Sequence, residues 1–547
     1  MDELWVIEAP GKARTLAAIL ARLGLDAKVQ ATKGHLLSMP DRLAPLGIDA
    51  RLHEFMRAPR DIETVRRLRD MAREAARVVI ATDADQEGDV IAWDVADMVS
   101  DIQPHPVRVR LRGMDDDSIR EAIAAATPMR KEDAIPGRTR AIVDRLIGAV
   151  FSRNGVAVGR VGTALLGLVQ RDCPAVSRLR LSAPAKDGGR PWLAECDVKA
   201  PLGAADAARL ASLALPVLDT GESAPFTAPP GHMGDIMVRA ADRLDLSPAE
   251  TAKSLQRNYE AGRMSYPRAG SRGMSRAAAL KMKRIMEKAG CRFDDTAVAP
   301  KGLDGAHDAP HPIGPVDLSL SPDRMGADDA VRALVARDLV RTGQRHVRQR
   351  AHGERIGKFL LGEGFPPDVA RFVAGLDWRR DQGPRFPGQE SWVASEVVRR
   401  RPDAVLLEAA VKAGLGRPST WANHIEGFLS RGLVDQDLRL TDKGLAWIGA
   451  SPQCLLDPRL SAAIERACEQ TGAVHPDGSS EPWEALAGRI IQALPPEIQG
   501  RVRAAADAEP TRARRDYRAM AEPGIDLDAI RDAGPGYTAP AYRPEDG

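Results

Sequence analysis

Asp83, Asp85, Glu87 and Asp89 stand at alternate positions in the stretch ATDADQEGD, directly after the apolar run Val78 to Ile80. In an extended chain, side chains two apart share a face. Asp83, Asp85 and Glu87 can therefore converge on one side of a strand-to-helix turn. Ligands of open parallel sheets bind at the carboxyl ends of the strands, which is where this turn would lie. Clustered hard oxygens suit Mg²⁺, which binds through a few carboxylates and keeps several waters. The alternative is that the acids complement the positive end of the following helix dipole. So many mutually repelling carboxylates are more than a helix start needs.

Three further segments carry candidate chemistry. In WVIEAPGKARTL, Glu8 follows an apolar run and Pro10-Gly11-Lys12 opens a helical pattern. A Glu beside other carboxylates can act as a general acid, and Lys12 with Arg14 at a helix start can hold a phosphate; a plain capped helix reads equally well. In SLQRNYEAGRMSYPRAGSRGMS, Tyr266 lies among small residues, with Pro267 forcing an extended backbone before Arg268. An exposed tyrosine beside an arginine suits a nucleophile that attacks a phosphodiester, because the cation favours phenolate and steadies the phosphoryl oxygens. The bland reading is a tyrosine packed over its loop, and Tyr259 with its helical neighbours is a core candidate. In GLGRPSTWANHIEGFLSRGLV, Ser419 or Thr420 can cap a helix from Trp421 that stops at Gly432, with Arg417 at a phosphate-binding position. Leu433 to Leu440 and LTDKGLAWI then read as a wing and a last helix.

The elements that must position these residues can be read from periodicity. Leu4–Ile7, Arg77–Ile80 and Val107–Leu111 read as strands, and Ala13–Leu23, the segment through Ile91, Val95 and Met98, and Ser118–Ala125 as helices. Strands alternating with helices predict an α/β domain with a mainly parallel sheet. If strands 4–7 and 77–80 are neighbours, Glu8 comes near the acidic cluster. Beyond Arg138 the pattern turns helical, with breaks near Gly155 and Gly159, a strand over Trp192–Val198, and helices over Met233–Leu244 and Ser247–Ala261. The tail from Glu522 has little apolar content and is expected to be disordered; Arg501 to Arg518 reads as a solvated helix or an extra nucleic-acid contact.

At 547 residues the chain allows several domains, and its net charge of +2 hides heavy use of both signs, which does not exclude nucleic acid. The five scattered cysteines contain no CxxC pair, so neither a zinc ribbon nor a disulfide framework is indicated. Nothing resembles a signal peptide or approaches the roughly 20 apolar residues of a membrane span. A soluble, cytoplasmic protein is the expectation.

Taken together and in this order, the segments resemble a type IA DNA topoisomerase over roughly residues 1–450. EAPGKARTL resembles the family's Glu-x-Pro-x-Lys motif, TDADQEGD its TOPRIM DxDxEG motif, and QRNYEAGRMSYPR the block ending in the nucleophilic tyrosine. AHDAPHPI, VGRVGTALLGLV and GLGRPSTWA resemble three more family segments. The YPR form and the lack of zinc-binding cysteines lean towards topoisomerase III-like members, prokaryotic and without C-terminal zinc fingers.

The resemblance implies a multidomain α/β plus mainly α fold. A TOPRIM Rossmann-like domain would join a toroidal clamp with winged-helix-like elements in base and cap and a β-rich arch. Implied boundaries are 1–130 for TOPRIM (with 31–58 against the base), 131–205 and 401–500 for the base, 206–232 and 346–400 for the arch, 233–345 for the cap, and 501–547 for a basic, then disordered, tail. By the same resemblance Tyr266 would form a 5′-phosphotyrosyl link, Arg268 would orient the scissile phosphate, and His307 would support the site. Glu8 would protonate the leaving 3′-oxygen, Asp83, Asp85 and Glu87 would hold Mg²⁺, and Lys12 would contact the phosphate. Arg160, Arg417, Ser419, Thr420, Arg14 and His35 would contact the strand. The implied protein is an ATP-independent monomer of the nucleoid acting on single-stranded segments of underwound DNA, with a RecQ-type helicase or a single-strand-binding protein as candidate partners.

The chain departs from the family at Gln86, Asp89, Gly113, Gly162, Thr163, Ala269 and Gly270. These motivate a rival reading, a catalytically weak single-strand-binding clamp in a recombination or conjugation complex. A TOPRIM nuclease or primase would leave the tyrosine loop and GLGRPST without a role.

Overall fold

The apolar run Leu4–Ile7 becomes the core of strand β1 (Glu3–Ile7), whose side chains are all buried, as a central strand of a parallel sheet requires. The structure, a computed structural model, describes residues 2–153, 155–300, 307–381, 386–387, 392–469 and 483–509. It divides into a first unit, Met1–Thr163 with Ser451–Leu455 and Leu460–Gly547, and a second, Ala164–Ala450 with Leu456–Arg459.

In the first unit β1 is followed by α1 (Ala13–Arg22), β2 (Ala27–Ala31), the short β3 (Leu37–Ser38) and β4 (Ala58–Pro59), α2 (Ile62–Glu74) and β5 (Arg77–Ile80). Then come α3 (Gln86–Val99), β6 (Val107–Arg108), α4 (Asp116–Ala124), β7 (Thr127–Pro128), α5 (Ile135–Phe151) and the start of α6 (Arg160–Asp172). The sheet order is β2-β1-β5-β6-β7, parallel except for β7 at the edge. Strands 4–7 and 77–80 are neighbours as expected, with Leu4 opposite Val78 and Val6 opposite Ile80. Leu4, Val6, Val78 and Ile80 pack with Val65 and Leu68 of α2 and Ile91 and Val95 of α3. The expected strand over Val107–Leu111 is a ladder of Val107 and Arg108 alone, after which Leu111 bridges Asp83.

The second unit contains β8 (Ser177–Ala183), β9 (Trp192–Asp197), α7 (Ala204–Ser212), β10 (Glu222–Phe226), α8 (Met233–Leu244), α9 (Pro248–Glu260), α10 (Arg276–Lys288) and α11 (Ala327–Thr342). It continues with β11 (His346–Arg350), α12 (Glu354–Gly362), α13 (Pro367–Ala374), β12 (Arg379–Asp381), β13 (Glu396–Arg399), α14 (Pro402–Lys412), α15 (Trp421–Ser430) and α16 (Asp442–Ala450). Its strands form one antiparallel sheet in the order β10-β11-β12-β9-β8-β13. Residues 177–197, implied to lie in the base, share this sheet with strands from residues 222–226 and 346–399, because β8 pairs with both β9 and β13. One face of the sheet, through Leu179, Leu181 and Trp192, packs on Leu210, Ile356, Leu360 and Val369.

The chain then returns to the first unit with α17 (Pro458–Glu469), α18 (Trp483–Ala493) and α19 (Pro496–Ala508). Trp483, Ile490, Ile498 and Val502 share a core with Ile142, Val143, Leu146 and Ile147 of α5. Residues 501–508, implied to open the tail and read as helical, continue α19, and Val502 and Ala506 are buried rather than solvated. Residues 510–547, with the rest of that expectation, lie outside the described residues. No helix among the described residues is long and apolar enough to cross a membrane.

Candidate functional site

In the first unit β1 and β5 end side by side, with the Ala81 amide donating to the Val6 carbonyl at 2.7 Å. Glu8, half-buried, follows β1, and a 3-10 turn over Pro10–Lys12 leads into α1. Lys12 is buried, with its Nζ 2.5 Å from a carboxylate oxygen of Asp83, which is buried too. Asp85 caps α3, accepting from the Gly88 amide at 2.7 Å. That turn requires glycine at 88, since a Cβ there would stand 2.1 Å from the Asp83 carbonyl oxygen. Glu87, in the first turn of α3, bonds His35 Nε2 at 2.9 Å. Burial disfavours the charged imidazole of His35, but the Glu87 hydrogen bond and the charges of Glu87 and Asp94 outweigh it and raise its pKa. Asp89 meets Arg108 at 3.0 Å and Arg110 at 3.4 Å; burial still pushes its carboxyl up.

Each carboxylate of the stretch thus has its own partner: a lysine, a helix amide, a histidine, or a pair of arginines. Asp83, Asp85 and Glu87 do not converge on one point as the alternation suggested. Among the described residues, no group of three His, Cys, Asp or Glu is arranged to hold a metal ion. The physical reason is that the helix begins at Gln86, which breaks the extended two-residue alternation. In donor chemistry the residues still fit a hard cation. Mg²⁺ takes one or two carboxylates with waters and phosphate oxygens, so Asp85 and Glu87 are the side chains that would hold it.

Other expected contacts are also redirected. Lys12 faces Asp83 rather than the surface. Arg160 is 4% exposed and binds Asp144 at 2.7 Å, Glu465 at 3.0 Å and the Ser461 carbonyl at 3.1 Å, so its guanidinium is engaged inside the fold. Those two acids raise its pKa despite burial. Arg14 is exposed in the first turn of α1.

Three arginines escaped the sequence reading. Arg108 and Arg110 hold Asp89, and Arg140 of α5 donates to the Gln86 side chain at 2.5 Å while pairing with Glu465 at 2.7 Å. The alternation in Val107-Arg108-Val109-Arg110 was a usable signal for the first two, placing both on one face of the extended chain. Nothing local marks Arg140, which meets Gln86 from a distant helix.

In the second unit Tyr266 is 1% exposed, not at the surface as its loop suggested. Its ring lies 5.4 Å from that of Tyr259, edge-on, and 4.6 Å from that of His307. Tyr259 is a core residue. The tyrosine loop runs beside the 307–313 segment: the Ser265 amide donates to the His311 carbonyl, and the His311 amide to Ser265 Oγ, both at 2.9 Å. Asp308 in turn holds Ser275 at the start of α10. Arg268 is half-buried, and the Met233 amide reaches the Ala269 carbonyl at 3.2 Å.

GLGRPST closes on the same region. A Cβ on Gly270 would stand 3.9 Å from Pro418, and Trp421 lies 5.4 Å from the His232 ring at the start of α8. Thr420 occupies the cap position of α15, but its hydroxyl turns back to the Arg417 backbone instead of capping the helix. Arg417 and Ser419 are half-buried in this loop. Gly432, at φ +65°, ends α15 as expected, and an antiparallel bridge from Val434 to Leu440 leads into α16. The structure thereby brings Tyr266, Arg268, His307 and the 414–420 loop together in one unit.

A Toprim domain model matches residues 3–111. The chain is 25% identical over 435 residues to reverse gyrase 2 of Aeropyrum pernix, covering 70% of this chain and 34% of that protein. It is 23% identical to the plasmid DNA topoisomerase I of Xylella fastidiosa, covering 79% and 74% of the two chains. To DNA topoisomerase 1 of Synechococcus elongatus it is 23% identical, covering 86% and 63%. The chain thus spans between a third and three quarters of the length of these relatives. In fold it is similar to full-length topoisomerase I of Thermotoga maritima, with a TM-score of 0.59 and 19% identity over 90% of this chain and 89% of that one. Its first hundred residues form a Toprim domain, and in sequence and fold the chain is similar to type I DNA topoisomerases.

Proposed function

We propose that this chain transiently cleaves one strand of DNA and religates it without ATP, changing DNA topology. The observation that carries this reading is Tyr266, set between Tyr259 and His307 on a loop fastened to the 307–313 segment, in a chain that also has a Toprim domain. In this mechanism the Tyr266 oxygen attacks a backbone phosphate and forms a 5′-phosphotyrosyl link, and the 3′-oxygen leaves with a proton from Glu8. Religation reverses the step, with Glu8 as base. Arg268 steadies the phosphoryl oxygens, and Arg417, Ser419, Thr420 and Arg14 hold the strand. Because Tyr266 is 1% exposed, attack follows a movement that uncovers its phenol.

Mg²⁺, when bound, supplies positive charge that neutralises phosphate oxygens. Asp85 and Glu87 are the residues to hold it, His35 orients Glu87, and Lys12 balances Asp83 behind them. A RecQ-type helicase or a single-strand-binding protein would supply or protect the single strand. The test is incubation with an end-labelled single-stranded oligonucleotide and Mg²⁺, stopped with denaturant. A covalent adduct is expected, and Tyr266→Phe should abolish it. Absence of the adduct, or its survival in Tyr266→Phe, sinks the mechanism.

A second reading, a catalytically weak single-strand-binding clamp, is favoured by one observation: Lys12 and Arg160 are both buried against carboxylates. It predicts salt-sensitive single-strand binding with neither adduct nor relaxation of supercoiled plasmid.

A further inference from the structure

The tyrosine loop is tied to the start of α8. The Met233 amide donates to the Ala269 carbonyl, and Arg272 grips the Asp235 carboxylate with hydrogen bonds of 2.8 and 2.9 Å. Asp235 is also half of the capping box of α8. Its carboxylate accepts from the His232 amide at 3.1 Å, while its own amide donates to His232 Nδ1 at 3.0 Å. A bidentate guanidinium–carboxylate pair fixes direction as well as distance. A change at the cap therefore reaches Arg272.

The His232 ring also meets the helix that follows the 414–420 loop. It lies 5.4 Å from the ring of Trp421, whose indole N–H donates to the Leu415 carbonyl at 2.8 Å. Packing here is tight: a Cβ on Gly234 would stand 2.9 Å from Val411 of α14 and 3.0 Å from both His232 and Trp421. A continuous chain of contacts thus runs from Arg272 through Asp235, His232 and Trp421 to Leu415, all within the second unit.

On the reading that Tyr266 cleaves DNA, we propose that His232, Asp235 and Arg272 are positioning residues that couple the tyrosine loop to the 414–420 loop. The coupling needs an acceptor at His232 Nδ1. The charged groups acting on this ring are Asp235, Arg272 and Arg239, and α15 presents it with Trp421. A protonated ring has no lone pair for the Asp235 amide. Its new N–H turns to the Asp235 carboxylate, 3.2 Å away, in competition with Arg272. Acid therefore slackens both loops together.

The test is amide hydrogen exchange of the full chain at pH 7 and pH 5, corrected for intrinsic rates, alongside adduct formation with the end-labelled oligonucleotide. His232→Leu removes the acceptor, His232→Asn keeps one that does not titrate, and Arg272→Gln removes the grip. At pH 7, His232→Leu and Arg272→Gln should each exchange at least about threefold faster in both residues 266–272 and residues 414–420. Each should form adduct about tenfold more slowly at saturating oligonucleotide, with half-saturation within about twofold of the parent. His232→Asn should exchange like the parent at pH 7 and gain much less than the parent at pH 5. Faster exchange in Arg272→Gln confined to residues 266–272, or a His232→Asn chain that follows the parent at pH 5, overturns the proposal. Should His232→Leu unfold, Arg272→Gln and His232→Asn decide the question. A parent chain that forms no adduct overturns the cleavage reading, and loop exchange still decides the coupling.

Discussion

Lys12 and Asp83 are 71 residues apart in the chain and form a buried ion pair. Removing one partner of such a pair strands the other charge away from water. Lys12→Met is therefore expected to destabilise the first unit by about 3–5 kcal/mol, read as a lower urea midpoint. Lys12→Met with Asp83→Leu should recover most of that loss, because an apolar pair leaves no buried charge behind. A double variant as unstable as the single one would refute this account. The types and order of the candidate site residues were legible in the sequence; their partners were not. Spacing along the chain reports which residues share a face of one element. It carries no record that Lys12 will meet Asp83, that Glu465 will meet Arg160, or that His307 will lie over Tyr266.

Helix starts were far more legible, because capping is local chemistry. The expected helix over Met233–Leu244 is observed with those bounds, and Ser247 and Glu250 close a capping box on α9. The start of α8 is less ordinary, since its cap is His232, whose ring nitrogen accepts from the Asp235 amide at 3.0 Å. Burial, with Arg272 and Arg239 nearby, lowers the His232 pKa below its usual 6.5 although Asp235 opposes this. The folded state therefore prefers the neutral ring and binds fewer protons than the unfolded chain below about pH 6.5. Its stabilisation is complete above that pH and is lost as pH falls towards the lowered folded value. Urea unfolding at pH 7 and pH 5 should show a smaller drop in His232→Asn, which keeps an acceptor at the cap but does not titrate. A different local rule governs α3, where the turn after Asp83 closes on Gly88. Gly88→Ala would drive a methyl into a backbone carbonyl, with an expected loss of about 1–3 kcal/mol and of adduct formation. A variant with parental stability and activity would show that the turn can open without harm.

At the scale of the molecule, the N-terminal parallel sheet was legible in the alternation of strands and helices, but the membership of the second unit's antiparallel sheet was not, because β8 joins it by pairing with β13 more than two hundred residues later. The same holds for α19, whose Ile498 and Val502 complete the core around α5. Ile498→Ala should cost about 2–5 kcal/mol, measured by chemical unfolding, while exposed Asp507→Ala should change little. Equal effects would mean that α19 is not part of that core. The arrangement also has a consequence for biosynthesis. α5 leaves the ribosome about 330 residues before α18, which at roughly 5–20 residues per second is a wait of roughly 16–66 s. Throughout that interval Ile142, Leu146 and their neighbours lack the helices that cover them. The nascent chain then exposes apolar surface, and slow or paused translation through the second unit would raise its risk of aggregating before the last helices arrive.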